Sequence, residues 1–249
     1  MRGLMVLAVL GMATFSAGSA DEAAALVDRA IAARGGLEQV RKLRRMEISY
    51  TGSVVMNGRH QAFRTTVWQD LPDRLRTTFL LQTPERALEI TQILAGGSGW
   101  RIQADGAVTD LSKAEILALQ MESHPGWLAC LYPLKEPGLT LTVLPDQRVD
   151  GADCAVLKVE TKDRPSVELY FDKSTWLLAR WTCPVRVPHV GTQQEDVRLD
   201  RYELRAGIPF PLRLASFRDR NLFMEAHLSQ VRLVHEFDPA LFARPQGKE

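Results

Sequence analysis

The stretch D-V-R-L-D-R-Y-E-L-R-A-G-I-P-F-P-L-R-L, Asp196 to Leu214, sets two apolar-alternating runs on either side of Ala206-Gly207. Glycine supplies the positive φ that a tight strand-to-strand turn needs. Pro209 and Pro211 stand two residues apart, so their missing N–H groups fall on one side of a strand. That places the segment at a sheet edge or at a strand start. The stretch reads as the corner of a sheet rather than as a loop bearing chemistry.

The same two-residue period extends in both directions. From Met46, the residues Ile48, Tyr50 and Val54 alternate with Glu47, Ser49 and Ser53, and Asn57-Gly58 follows as a strong hairpin signal. A two-residue turn there sets Tyr50 opposite Thr65, Ile48 opposite Val67, Val54 opposite Gln61 and Gly52 opposite Phe63. Further strands are expected over 74–81, 88–94, 139–144, 154–161, 167–171, 177–183, 196–204, 208–218 and 222–234. In the last of these, apolar parity slips between Leu228 and Val231, which predicts a bulge near Ser229-Gln230.

Helical signals are few. Asp21 is an N-cap candidate for a helix to Arg34, with Leu26, Ala30 and Ile31 on one stripe and Gly35-Gly36 at its end. Leu37, Val40 and Leu43 mark a second short helix, ending in the basic run Arg41 to Arg45. Ser112-x-x-Glu115 is a capping box ahead of Ile116, Leu117 and Leu119, and a separate short helix is expected after Pro125, with Trp127, Cys130 and Leu131 at i, i+3, i+4. The pattern predicts an α+β protein, mostly antiparallel β: a single curved sheet, an incomplete or half β-barrel, with short helices covering its concave face.

Residues 1–20 stand apart. Arg2, an apolar run from Leu4 to Phe15, and small residues Gly18 and Ala20 before Asp21-Glu22 form the pattern of a secretory signal peptide cleaved after Ala20. A single domain over 21–249 and a periplasmic location follow. The formal charge of +1 over 249 residues falls to zero once Arg2 is removed, so no global field favours nucleic acid. Cys130, Cys154 and Cys183 are an odd set. Their expected strand faces make a 154–183 bridge improbable, which points to buried free thiols.

Catalytic signals are lacking. The five histidines, His60, His124, His189, His227 and His235, form no close ligand pair, so no metal site is expected, and no cofactor either. No G-x-S-x-G elbow occurs, and A-G-G-S-G-W at Ala95 to Trp100 reads as a hairpin rather than a phosphate cradle. The chain is expected not to be an enzyme. What stands out is an apolar surplus on the strands: Tyr50, Phe63, Phe79, Trp100, Tyr170 and Trp181. A curved sheet with too few helices to fill its hollow leaves a cavity, the usual form of a small-molecule site.

Four ordered stretches give the chain its resemblance to the LolA-like superfamily of periplasmic lipoprotein carriers and sorting proteins. They are L-V-D-R-A-I-A-A-R-G-G-L-E-Q-V-R-K-L, then L-P-D-R-L-R, then S-G-W-R-I with L-S-K-A-E-I-L, and last V-E-L-Y-F-D-K-S-T-W-L-L-A-R with Y-E-L-R-A-G-I-P-F-P-L-R-L and F-D-P-A-L-F-A-R-P. A-A-R-G-G is closer to the carriers' relatives than to the carriers proper. The resemblance implies a cavity for an acyl chain, lipid or lipoprotein, lined by Ile48, Tyr50, Phe63, Val67, Phe79, Ile90, Trp100, Leu169 and Trp181. It implies a lid bearing Ile116, Leu117, Trp127 and Leu131, and a lid latch at Arg74 or Arg76. A monomer is expected. The alternative is an envelope assembly module with a filled core that binds another envelope protein instead of a ligand.

Overall fold

The computed structural model describes residues 19–246 except 57, 84, 188 and 189. Most of the expected leader, Asn57 of the first hairpin turn, and His189 lie outside the described residues.

The chain opens with helix α1 (Ala20–Ala33), begun by Ser19, whose hydroxyl accepts from the Glu22 N–H. The cap therefore lies two residues before the expected Asp21. Gly35 and Gly36, at φ of 96° and 92°, turn the chain into α2 (Leu37–Lys42). Six strands follow: β1 (Arg45–Met56), β2 (Arg59–Asp70), β3 (Arg74–Gln82), β4 (Ala87–Ala95), β5 (Ser98–Ile102) and β6 (Val108–Asp110). Helix α3 (Lys113–Leu128) and a 3-10 turn (Tyr132–Lys135) lead to seven more: β7 (Leu139–Val149), β8 (Ala152–Thr161), β9 (Val167–Asp172), β10 (Leu178–Val187), β11 (Gly191–Arg205), β12 (Ile208–Arg218) and β13 (Asn221–Leu233). A second 3-10 turn, Pro239–Phe242, lies in the tail.

The strands form one antiparallel sheet in the order β6-β5-β4-β3-β2-β1-β13-β12-β11-β10-β9-β8-β7. Every neighbouring pair is a hairpin except β1 with β13. The sheet's two edges, β6 and β7, are consecutive in sequence, and α3 with its following turn bridges them. The result is an unclosed curved sheet with helices against its hollow side, the α+β architecture that the period-two pattern implies.

Register agrees with the sequence pairing throughout the first hairpin, with Ile48 opposite Val67, Tyr50 opposite Thr65, Gly52 opposite Phe63 and Val54 opposite Gln61. The predicted bulge is present as well: Ser49 pairs with Gln230 and Tyr50 with Leu228, leaving Ser229 as the extra residue. The opening stretch is a corner. Ala206 and Gly207, at φ of 51° and 78°, join β11 to β12 in a two-residue turn. Pro209 and Pro211 pair with Leu204 and Tyr202, while the β12–β13 ladder begins only at Arg213. The missing N–H groups thus sit at a strand start that has no ladder on its second side.

On the concave face, α1 packs against β7 and β8 through Ala23, Leu26, Val27, Ala30 and Ile31. These join Leu157, Leu169, Phe171 and Leu178 in the main core. On the convex face, Trp68, Ile93 and Trp100 pack with Phe237 and Phe242 of the tail. The three cysteines are buried and free. Cys183 belongs to the concave core and Cys154 to the convex cluster, so the sheet itself separates them.

One expectation needs correction. Helix α3 is one element running through Pro125, rather than two. Proline removes one donor, but the Ala129 N–H still reaches the Pro125 carbonyl at 2.9 Å, and the helix continues. The basic run Arg41 to Arg45, at and just past the end of α2, is largely paired. Arg41 pairs with Glu38, and Arg44 and Arg45 both pair with Asp70.

A cavity under the third helix

Between α3 and the concave face lies a cavity of about 350 Å³, within the range usual for small-molecule pockets. Ladder parity explains its floor. Ile48, Val67, Thr77 and Gln92 are cross-strand neighbours on β1 to β4, so their side chains project to one face in a row. Trp181, Leu199 and Leu214 continue that row on β10 to β12. The roof is α3, where Leu119, Glu122, Ser123 and Gly126 recur at helical spacing, and Cys130 just past its end.

Of the expected lining residues, Ile48, Tyr50, Val67 and Trp181 face this space. Five others do not. Phe63 and Phe79 point to the concave face but stack on each other, 5.0 Å between ring centres, in a second cluster. They lie toward the other strand end; Phe63 is four residues from Val67, about 13 Å along the strand. Ile90, opposite Phe79, is 42% exposed at that open end. Trp100 stands opposite Ile93, and parity puts it on the convex face. Leu169 faces the concave side but is sealed within the main core.

The lid assignment is corrected in the same way. Ile116 is half-buried and Leu117 is 49% exposed, both turned off the cavity. Trp127 packs against the core and the His124 ring, 5.5 Å between centres. Leu131 lies past the end of α3, buried at φ 68°. The apolar residues of α3 do not form one stripe, so apolarity alone misidentified the side facing inward.

Arg74 and Arg76 lie on the convex face and do not reach the lid. Arg74 bonds to Asp70 and covers Phe242, while Arg76 donates to the Leu241 carbonyl at 3.1 Å. They hold the tail, not α3. The helix is fastened by other groups. Arg101 pairs with Glu115 at 3.0 Å, Arg164 donates to the Gln120 carbonyl at 2.9 Å, and His124 Nε2 meets Thr161 Oγ1. The capping box of Ser112 and Glu115 is complete, and it holds the Glu115 carboxylate below its ordinary pKa, with Arg101 adding to the effect.

The polar groups inside the cavity were the least visible in the sequence. Arg34, just past α1, is 5% exposed and lines the space. Among the described residues it makes no ion pair, and its Nε is enclosed without an acceptor. The Phe210 ring lies 5.6 Å from the guanidinium carbon, and the C-terminal end of α1 offers a favourable dipole. Neither supplies the hydrogen-bond acceptors that a buried guanidinium requires. One signal was legible: Arg34 continues the buried stripe of Val27, Ala30 and Ile31 at helical spacing, where a charge is out of place.

Around it stand two phenols and a thiol. Burial pushes the Tyr50 hydroxyl above its ordinary pKa, with Cys130 adding and Arg34 opposing. Burial pushes the Tyr202 phenol up to about 12, and its hydroxyl donates to the Leu178 carbonyl at 2.6 Å. Cys130 is pushed up to about 11 by burial, against the pull of Arg34 and the Gln69 amide. All three are neutral at neutral pH. At the roof, Glu122 still meets solvent, yet the surrounding protein mass raises its carboxyl, Glu195 adds to this, and Arg218 opposes it.

No protein-family model and no curated protein matches the sequence. Solved structures do match. A LolA superfamily protein from Nitrosomonas europaea aligns with a TM-score of 0.57 at 13% identity, over 89% of this chain and 97% of the other. A DUF1329 family protein from Desulfovibrio piger gives 0.54 at 16%, over 89% and 97%. A domain from Vibrio parahaemolyticus, named for outer membrane lipoprotein sorting, gives 0.52 at 14%, over 84% and 97%. At these identities the likeness is one of fold, and the fold of this chain is the LolA-like one, an open curved antiparallel sheet with helices on its hollow side.

Proposed function

We propose that this chain is an exported, non-catalytic binding protein that holds an acyl chain in the cavity beneath α3. The observation that supports the reading most is the cavity itself, whose walls are mainly aliphatic and aromatic side chains from seven strands. Each methylene moved from water into such a space contributes about 0.8 kcal/mol. A chain of ten therefore has ample gross affinity before the cost of ordering is subtracted. The cavity also argues against the alternative of a filled core.

At roughly 30 Å³ for a water-sized group, a space of this volume takes about a dozen methylenes. That fits one medium acyl chain, free or as part of a larger lipid or lipoprotein whose remainder stays outside. In this reading residues 1–20 direct export, the domain over 21–249 works in the periplasm as a monomer, and an envelope partner delivers or receives the cargo. The Vibrio domain, named for lipoprotein sorting, has the same fold, which favours an envelope role.

Native mass spectrometry of protein purified gently from the periplasm tests the reading. A stoichiometric adduct releasing a fatty acid or acylated species on extraction is expected. A clean unliganded mass that stays unchanged after incubation with dodecanoate and phospholipid would sink it.

A further inference from the structure

We propose that Arg34 anchors the oxyanion head of a single-chain amphiphile, so that the cargo enters the cavity head first. This rests on the carrier reading above and adds the polarity and orientation of the cargo.

Three observations lead there. First, a guanidinium stays protonated at any physiological pH, so the cavity holds a permanent positive charge. Second, among the described residues no carboxylate pairs with Arg34, and the ion pairs made there join side chains that reach the surface, apart from the buried carboxylate of Asp70. Third, Arg34 lines the same apolar space that would receive the chain, with Tyr50 as a second donor. Tyr50 remains protonated because burial raises its pKa, and so it can donate to an anion.

A fork of N–H donors and one phenolic O–H matches a carboxylate or a phosphate monoester. The same groups offer nothing to a cationic head, and an uncharged chain leaves the guanidinium unsatisfied. Glu122 at the roof reinforces the direction. An acidic head lodged beside it would set two acids together, whereas one beside Arg34 meets a cation, the only one in the lining among the described residues.

The test compares dodecanoate, 1-dodecanol, dodecyl phosphate and inorganic phosphate on the delipidated full-length protein by calorimetry. The wild type should bind dodecanoate or dodecyl phosphate at least about tenfold more tightly than dodecanol, as a charge-assisted hydrogen bond implies. The tighter of the two anions identifies the head as carboxylate or phosphate. R34M should bring that ratio close to one while dodecanol still binds, and R34K should keep part of the preference. Equal binding of dodecanol and both anions by the wild type overturns the anchor and leaves the carrier reading standing. Binding of none of the three amphiphiles overturns both. Inorganic phosphate bound as tightly as dodecyl phosphate would also overturn the anchor, since the chain would then play no part. Should R34M fail to fold, ¹³C-carboxyl dodecanoate bound to the wild type decides the matter. A carboxyl that titrates well below its value in water supports the contact; an unshifted or raised one refutes it.

Discussion

His124 Nε2 stands 3.2 Å from Thr161 Oγ1, and that contact ties the middle of α3 to the end of β8. Burial drives the imidazole pKa down to about 4 from 6.5, and Arg164 pushes the same way. The native state therefore holds the neutral ring. Stability from this contact is complete above pH 6.5 and is lost as pH falls toward 4, because the opened or unfolded chain takes up the proton more readily. The protection factors of the α3 amides, the intrinsic exchange rate divided by the observed one, should fall over that window by up to about tenfold per pH unit. Protection factors in α3 that stay constant between pH 7 and 4 would show that His124 does not hold the helix.

Gly126 offers a direct handle on the cavity. It lies within α3 and lines the space, and a Cβ built there meets nothing within 4 Å. Gly126→Ala should raise stability by about 0.5–1 kcal/mol, the usual difference between these residues in a helix. Gly126→Phe should fold but place its ring where the chain would lie, and dodecanoate uptake should fall at least tenfold. A phenylalanine variant that melts normally and binds normally would move the site elsewhere.

Asp70 gathers three arginines, with Arg44 Nε at 3.3 Å, Arg45 Nε at 3.1 Å and Arg74 closer still. Its side chain is 4% exposed. Burial pushes the carboxyl up, but the hydrogen bond from Arg74 and the charges of Arg45 and Arg74 outweigh it, and its pKa ends below the ordinary value of 3.8. The arginines reach water and can rehydrate, so Asp70→Asn should cost about 1–3 kcal/mol rather than more. The loss should appear in urea melts at pH 7 and shrink as pH falls below 4, where the wild type loses the same interaction.

Gly52 marks a place where two strands approach too closely for any side chain. A Cβ there would stand 1.9 Å from the Glu225 carbonyl oxygen on β13. Gly52→Ala should destabilise the protein by about 1–3 kcal/mol through strand displacement. The change should register as exchange in β1 and β13 amides before those of β8 and β9.

The fold was legible in the sequence because antiparallel strands have a period of two and hairpin turns have distinctive residues. The Asn57-Gly58 turn fixed four partner pairs, and a slip in parity located the extra residue at Ser229. The cavity was only half legible. Parity separates one face from the other, which puts Ile48 and Val67 on the concave side, but it does not say how far along a strand the hollow ends. Phe63 and Phe79 were lost on that account. Trp100 was lost because a short hairpin gives too few alternations to fix its face. On α3 the apolar residues lie on several sides, so no stripe marked the one turned inward. Arg34 was visible only as a charge on an apolar stripe.

The order of the sheet has a mechanical consequence. Its one non-hairpin ladder joins β1 to β13, and Met46 at the start of one lies opposite Leu233 at the end of the other. Tension applied between Arg45 and Leu233 would therefore pull on that ladder from one end, opening its bonds in succession like a zipper instead of loading them together in shear. The two arms, β2 to β6 and β7 to β12, hang from this central seam, so a modest force applied between Arg45 and Leu233 would part the halves and empty the hollow between them.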